Sequence, residues 1–266
     1  MINYRKAQKK LIELTQNQSL NIKDNFSEIA GSYAAWRPEY PEELFIYLAS
    51  LSTQHDKALD CGTGNGQAAK LLARNYKEVY ATDISSAQLQ HAVTMPNIYY
   101  SVSPAEKTVF PDNYFDMLCA AQAAHWFDHE LFYKEAERIL KPGGVLALTG
   151  YGLIEINEEV DKLIKTLYTD VLGEYWDKER KFIDDHYRSL PFPYAEITAP
   201  PFQIVCEWNL AQLVGYLNTW SALGHYKKAN GNDPLLEMFP GLQKIWGGDE
   251  IKKPIRFPVI TKIAVL

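Results

Sequence analysis

The residues best suited to chemistry form a glycine-rich loop near residue 60. Residues 60–66 read DCGTGNG and directly follow a short apolar run, with a helical segment after them. Glycines at alternate positions let the backbone turn tightly and approach a ligand without a Cβ atom in the way. Ligands of open α/β sheets bind outside the carboxyl ends of the strands. The segment therefore predicts a ligand-binding loop between a strand and a helix.

The acidic residues around this loop indicate the charge of the ligand. The spacing is G-x-G-x-G, whereas the dinucleotide fingerprint is G-x-G-x-x-G. Asp60 would repel a pyrophosphate but attract an ammonium group. Asp83 ends the next apolar run 23 positions later, where a carboxylate can accept hydrogen bonds from both ribose hydroxyls. An amine and a ribose without a phosphate describe S-adenosylmethionine, and we assign Asp60, Gly62, Thr63, Gly64 and Asp83 to its site.

Short apolar runs that alternate with helical segments must position this loop. The predicted strands are Lys57–Cys61, Val79–Thr82, Ile98–Val102, Phe115–Ala120 and Val145–Thr149. Such alternation implies parallel strands joined by right-handed crossovers, hence a doubly wound α/β sheet. We expect a helical N-terminal cap over residues 1–52, a core over 53–151, and cover helices with edge strands of the same sheet over 152–266.

Composition excludes several classes of protein. The 266 residues carry 27 Lys and Arg against 33 Asp and Glu, a net charge of −6, which argues against a polyanion partner. No stretch approaches the ~20 apolar residues of a membrane span. Three widely spaced cysteines show no metal-ligand spacing and suggest free thiols in a reducing cytoplasm. We expect a cytoplasmic protein, monomer or homodimer, with no metal, nucleic acid or membrane partner.

The chain resembles the class I S-adenosylmethionine-dependent methyltransferases in the order and spacing of its motifs. Residues 103–106 (SPAE) resemble the family segment that borders the adenine, so the resemblance carries Ala105 and Glu106 over to the cofactor site. Residues 115–118 (FDML) resemble the fourth strand, and 138–144 (RILKPGG) the run that leads into the fifth. The resemblance implies a Rossmann-like, seven-stranded sheet.

Further segments are similar to trans-aconitate methyltransferase-like enzymes, of the methyltransferase type 11 small-molecule family. They are residues 26–27 with 33, 37–41 (RPEYP), 122–128 (QAAHWFD) and 216–222 (YLNTWSA). This likeness implies methyl transfer to a small-molecule carboxylate or hydroxyl by in-line displacement. Residues 152–200 match no motif, and members of the family differ most in this cover region.

Five more residues are candidates for the cofactor side. Tyr33 and Arg37 stand on the capping segment, where Arg37 would either pair with the cofactor carboxylate or form a surface salt bridge. Ile84 would pack on the adenine face, and Gln88, one helical turn later, would reach the ribose edge. Gln122 follows the fourth strand and would face the methionine end or the ribose.

Five residues are candidates for the substrate side. His125 could take a proton from a phenol or alcohol, whereas a carboxylate acceptor would need no base and would leave His125 as a packed wall residue. Trp126, Tyr216, Trp220 and Tyr226 would form apolar walls of the acceptor pocket, although an aromatic row at near-helical spacing is equally compatible with plain core.

Two other functions use the same loop. A protein could bind S-adenosylmethionine without transferring its methyl group, as a sensor or partner subunit. A nicotinamide-dependent oxidoreductase shares the strand topology but is disfavoured by the glycine spacing and by Asp60. A nucleic-acid methyltransferase is disfavoured because no Asn-Pro-Pro-type tetrapeptide follows the fourth strand and no basic groove is indicated.

Overall fold

A computed structural model describes residues 36–248 and 250–266. The predicted helices before residue 36, and Tyr33 with them, lie outside the described residues.

Seven strands form one mixed sheet in the described part of the chain. They are β1 (Lys57–Cys61), β2 (Glu78–Asp83), β3 (Ile98–Val102), β4 (Phe115–Ala121), β5 (Leu140–Tyr151), β6 (Gln203–Trp208) and β7 (Lys253–Val265). Their order is β3-β2-β1-β4-β5-β7-β6. The first five strands are parallel, and β7 runs antiparallel to both β5 and β6. The predicted Rossmann-like α/β sheet is confirmed.

The strand order reverses between β1 and β4, which pair with each other in the middle of the sheet. Their carboxyl ends form the crevice in which open α/β sheets bind ligands. β4 and the second half of β5 are almost completely buried, because helices cover both faces of the sheet. The site is therefore built at the ends of deeply buried central strands.

Four helices accompany the parallel strands: α1 (Glu42–Ser50), α2 (Gln67–Leu72), α3 (Ser86–Gln90) and α4 (His129–Ile139). Side chains cap two of them. Ser85 Oγ accepts a hydrogen bond from Gln88 N at 3.3 Å, and Asp128 Oδ1 accepts one from Leu131 N at 3.1 Å. These caps hold the starts of α3 and α4 next to the ends of β2 and β4.

The cover contains α5 (Glu158–Thr166), α6 (Lys181–Asp184), α7 (Leu210–Leu217), α8 (Ser221–Asn230) and α9 (Pro234–Trp246). The apolar spacing over residues 156–172 predicts one amphipathic helix; in the structure α5 ends at Thr166 and continues into a π-helical turn, Leu167–Val171. The pattern over residues 210–220 predicts another helix, but α7 ends at Leu217, because Trp220 adopts extended backbone angles before α8 begins.

The run KPGG at residues 141–144 is expected to separate the helix before it from a strand that begins at Val145. In the structure these residues belong to the strand β5 instead. They form the irregular first part of β5, where the register with β4 shifts between Phe115 and Met117. Gly143 has a φ of +80° there, which favours glycine. Lys141 Nζ lies 2.6 Å from Asp116 Oδ1 and ties this irregular start to the interior of the sheet.

Candidate functional site

The glycine loop lies at the carboxyl end of β1, and two of its three glycines, Gly62 and Gly64, have different roles. Gly62, with a φ of +69°, lies so close to the turn after β4 that an added Cβ would be 2.6 Å from Ala123 Cβ. Gly64, with a φ of +56°, is open instead: the nearest atom to an added Cβ is Gln88 Oε1 at 4.0 Å. Gly62 therefore permits close packing inside the protein, while Gly64 leaves backbone accessible to a ligand.

Asp83, at the end of β2, fastens this loop. Its Oδ2 accepts a hydrogen bond from Gly64 N at 2.8 Å, and its Oδ1 accepts one from Ser85 N at 2.8 Å. These two bonds hold the Asp83 carboxylate against the backbone of the loop. Ile84 beside it is 67% exposed, and Gln88 is buried on α3. Asp83 and Ile84 thus flank the open side of Gly64.

Asp60 is completely buried beneath the loop. Its Oδ2 accepts a hydrogen bond from Thr63 Oγ1 at 2.5 Å. Its Oδ1 has no hydrogen bond of normal geometry from any residue within 36–248 or 250–266. Burial raises the pKa of Asp60 to about 7, although the Thr63 hydroxyl opposes this shift. A buried carboxyl group with unused acceptor capacity suits a cationic ligand group.

The adenine-side candidates lie in the loop after β3. Ala105 is buried. Glu106 Oε1 accepts a hydrogen bond from Asp128 N at 3.0 Å, so the carboxylate ties this loop to the residue that caps α4.

Gln122 joins the ends of β4 and β5. It has a φ of +55°, which is strained for a residue with a side chain. Its N donates to Thr149 O at 2.7 Å, and its Oε1 accepts from Tyr151 N at 2.9 Å. These two bonds hold the strained backbone and fix the carboxamide at the wall of a pocket.

That pocket adjoins the loop and is lined by nine residues. Five of them are sequence candidates: Arg37, Gln122, His125, Trp126 and Trp220. The other four are Trp176, Asp177, Arg180 and Ser221, from the cover. The structure therefore brings the turn after β4 together with three segments that are distant in sequence.

Two aromatic candidates do not line this pocket. Tyr216 is buried, and its ring packs under the Arg37 guanidinium, with 5.6 Å from Cζ to the ring centroid. Tyr226 packs against Tyr175, with 4.9 Å between ring centroids. Tyr216 therefore packs against Arg37, which lines the pocket, and Tyr226 is not part of the pocket wall.

Sequence reasoning missed the cover residues because 152–200 carries no recognisable motif. The available signal was local: Trp176 and Arg180 are four positions apart, and arginine often stacks on tryptophan. That spacing does not predict that Trp176 and Arg180 face the carboxyl end of β4.

His125 is buried in the pocket wall and stays uncharged. Burial, and secondarily the positive charges of Arg180 and His129, lower its pKa to about 3. Its Nδ1 lies 3.5 Å from the hydroxyl of Tyr187, which is also buried. His125 therefore presents a neutral imidazole of weak basicity.

Arg37 connects three parts of the chain at this pocket. Its Nη1 donates to Tyr151 Oη at 3.1 Å, and its Nη2 donates to Thr219 O at 3.2 Å. The guanidinium is half-buried and reaches the pocket wall.

The described residues give little support for a metal site, a cysteine nucleophile or a membrane-spanning helix. Across 36–248 and 250–266, no group of three or more His, Cys, Asp or Glu side chains could hold a metal ion. Burial raises the pKa of Cys61 to about 12, so this thiol is not a nucleophile. No helix in the same part of the chain is long and apolar enough to cross a bilayer.

The residues at the loop fit the cofactor expected from the sequence. Open backbone at Gly64, unused acceptor capacity on Asp60, and the carboxylate of Asp83 beside exposed Ile84 all lie at one edge of the sheet. An amine-bearing nucleoside without phosphate matches this set of groups.

Comparisons with known proteins agree with this geometry. Residues 59–148 match the family model described as "Methyltransferase domain". A methyltransferase of Dictyostelium discoideum is 33% identical over 243 residues, 89% of this chain and 92% of the relative. A ubiquinone/menaquinone biosynthesis C-methyltransferase of Neisseria meningitidis is 32% identical over 137 residues, 47% of this chain and 52% of the relative.

A solved structure is similar over most of the chain. The structure of a type II methyltransferase from Anaeromyxobacter dehalogenans is 39% identical, with a TM-score of 0.81 over 86% of this chain and 97% of that one. The match extends beyond the loop and the parallel strands into the cover. The chain therefore belongs to the class I S-adenosylmethionine-dependent methyltransferases.

Proposed function

We propose that this methyltransferase acts on the carboxylate of a small molecule bound in the pocket beside the glycine loop. The observation that carries the choice of acceptor is the neutral, weakly basic state of His125, whose pKa burial lowers to about 3. The cofactor, when bound, supplies a methyl group activated by a sulfonium centre. The residues of the chain bind and orient the two reactants.

The choice between a carboxylate and a hydroxyl acceptor depends on whether the acceptor must lose a proton before it can attack the methyl group. An alcohol or phenol becomes a good nucleophile only when a base accepts its proton, and an imidazole whose conjugate acid has a pKa of about 3 is a poor base for that step. A carboxylic acid, with an ordinary pKa of about 4, is already ionised at neutral pH. Burial of His125 therefore favours the acceptor that needs no base, and His125 serves as a wall residue.

Positioning is then the main contribution of the protein. β4 pairs with β1, so the turn that carries Gln122 and His125 lies beside the glycine loop. Two hydrogen bonds hold Gln122 in place, and the rings of Trp126, Trp176 and Trp220 line the pocket. Holding two reactants in line at short range supplies much of the rate in a displacement whose leaving group is already good.

The test is turnover on matched acceptors. Purified protein with S-adenosylmethionine is given carboxylic acids and the alcohols and phenols of the same skeletons, and S-adenosylhomocysteine release is measured. We expect the acids alone to yield methyl esters. At saturating cofactor, kcat should show no limb attributable to His125 between about pH 5 and pH 8.

His125→Asn is the matched variant, and it should retain most of kcat on the acids. Turnover confined to hydroxyl acceptors, with a pH limb that this variant abolishes, would contradict the proposal. Binding of S-adenosylmethionine without turnover of any acceptor would favour a non-catalytic binding protein.

A further inference from the structure

Arg180 places a second guanidinium in the pocket, and no motif pointed to it. It ends the 3₁₀ turn Lys178–Arg180, directly before α6, and its side chain is only 17% exposed. It lines the same pocket as Gln122 and His125. A buried cation is costly unless something compensates its charge.

One edge of the Arg180 guanidinium is held firmly by the cover. Its Nε donates to Tyr168 Oη at 2.7 Å, and Tyr168 Oη donates to Asp184 Oδ1 at 2.5 Å. The guanidinium also lies over two rings, with 5.0 Å from Cζ to the Trp176 centroid and 5.5 Å to that of Tyr168. Stacking and the Nε bond together fix the plane of the guanidinium group.

The other edge is unused. Arg37 donates through both terminal nitrogens, to Tyr151 Oη and Thr219 O. The Nη atoms of Arg180, in contrast, form no hydrogen bond with any residue of 36–248 or 250–266. Two parallel N–H donors at a pocket wall match the oxygens of a carboxylate.

The remaining wall residues restrict the rest of the ligand. Trp176 and Trp220 line the pocket with ring centroids 5.4 Å apart and present apolar surface. Asp184 Oδ1 lies 3.6 Å from Arg180 Nε, so this carboxylate faces the edge of the guanidinium that the cover holds. The Nη edge lines the pocket beside the two rings, and the wall thus complements one carboxylate on an apolar skeleton.

We propose that the Nη edge of Arg180 binds the carboxylate of the methyl acceptor, a monocarboxylate whose apolar skeleton contacts Trp176 and Trp220. This inference rests on the proposed function, and it adds the specificity-determining residue and the class of acid. One carboxylate oxygen can accept from Arg180 while the other bonds to the methyl carbon. The carbon–sulfur bond breaks as that bond forms, its electron pair remains on sulfur, and no proton is transferred.

The charge change also accounts for product release. The carboxylate becomes a neutral ester, which can no longer form charge-assisted hydrogen bonds with the guanidinium. Arg180 should therefore bind the acid and release the ester.

The test measures binding rather than turnover. Calorimetry in the presence of S-adenosylhomocysteine uses three probes of one skeleton: 3-phenylpropanoate, its amide and its methyl ester. Wild-type protein should bind the acid about tenfold or more tightly than either neutral probe, the size expected for a charge-assisted hydrogen bond. Arg180→Gln should lower acid affinity to that of the neutral probes and leave the affinity for S-adenosylhomocysteine unchanged.

Lys178→Gln is the matched control, because it removes a charge from an exposed position of the same turn and should change nothing. If Arg180→Gln fails to bind S-adenosylhomocysteine and has therefore misfolded, Arg180→Lys keeps the charge without the planar fork and should show an intermediate preference for the acid. An unchanged acid-to-amide ratio in the folded variant, or no acid preference in the wild type, would overturn the inference. Preferential acid binding without methylation of any acid would leave it standing and refute the proposed function.

Discussion

Burial of the Asp60 carboxyl group couples its ionisation to the stability of the fold. In the folded protein burial raises the pKa of this group to about 7, from an ordinary value of 3.8. Between these values the unfolded chain has released the proton while the folded chain still holds it. Linkage therefore requires that the contribution of Asp60 to the free energy of unfolding falls as pH rises from about 4 to about 7.

Asp60→Asn should remove this contribution. We expect the variant to gain stability relative to the wild type, by up to a few kcal/mol, as pH rises through that range, and the difference to level off above about pH 7. Urea unfolding of both ligand-free proteins at a series of pH values measures this difference in the free energy of unfolding.

The comparison between variants is essential because His125 has the opposite effect. Its pKa is lowered, so the stability that it contributes is lost as pH falls below about 6.5, in both proteins equally. A stability difference that does not change with pH would show that Asp60 is ionised in the fold at all these pH values.

At the scale of elements, the β1–α2 loop separates a packing role from a ligand role. Gly62 and Gly64 both have positive φ, so an alanine at either position has a similar backbone cost of about 1–2 kcal/mol. They differ in space, because only at Gly62 would the new methyl group meet Ala123, at 2.6 Å.

Gly62→Ala should therefore lower the melting temperature well beyond Gly64→Ala, and Gly64→Ala should abolish cofactor binding while the protein remains folded. Thermal melts without ligand and calorimetry with S-adenosylhomocysteine separate the two effects. Equal melting temperatures would indicate that the turn after β4 can move away, and unchanged affinity in Gly64→Ala would refute a close approach of ligand to this backbone.

At the scale of the whole molecule, Arg37 is the residue that joins cap, sheet and cover. It contacts Tyr151 at the end of β5, and Tyr216 and Thr219 of the cover, more than 100 positions away in the chain. The backbone N–H of Tyr151 in turn donates the hydrogen bond to Gln122 Oε1 that fixes the pocket wall. The end of β5, the pocket wall and the packing of the cover are therefore connected through one side chain.

Arg37→Gln should lower both the free energy of unfolding, by about 1–3 kcal/mol, and the affinity for S-adenosylhomocysteine, because buried acceptors lose their donors. Denaturant unfolding and calorimetry measure the two effects. Glu39→Gln serves as the control, since that side chain is exposed and forms only a surface pair with Lys70. A variant with lower stability but full cofactor affinity would make Arg37 a purely structural residue.

The order of residues along the chain is sufficient to predict the sheet, its parallel strands and the glycine loop with Asp60 and Asp83. These features are local: a strand, a turn and a helix follow each other within about 30 residues, and alternating apolar runs together with glycine spacing record them directly. Gln122 and His125 were accessible in the same way, because they directly follow a predicted strand.

The set of cover residues that reach the pocket could be read only from the folded chain. Tyr216 and Trp220 are four positions apart in one predicted helix, yet Trp220 lines the pocket and Tyr216 packs beneath Arg37. Trp176 and Arg180 reach the same wall from a segment without a motif. The physical reason is that a pocket wall between distant segments is set by how amphipathic helices pack over the sheet edge, and the spacing within one segment records only which residues share a face, not what that face meets.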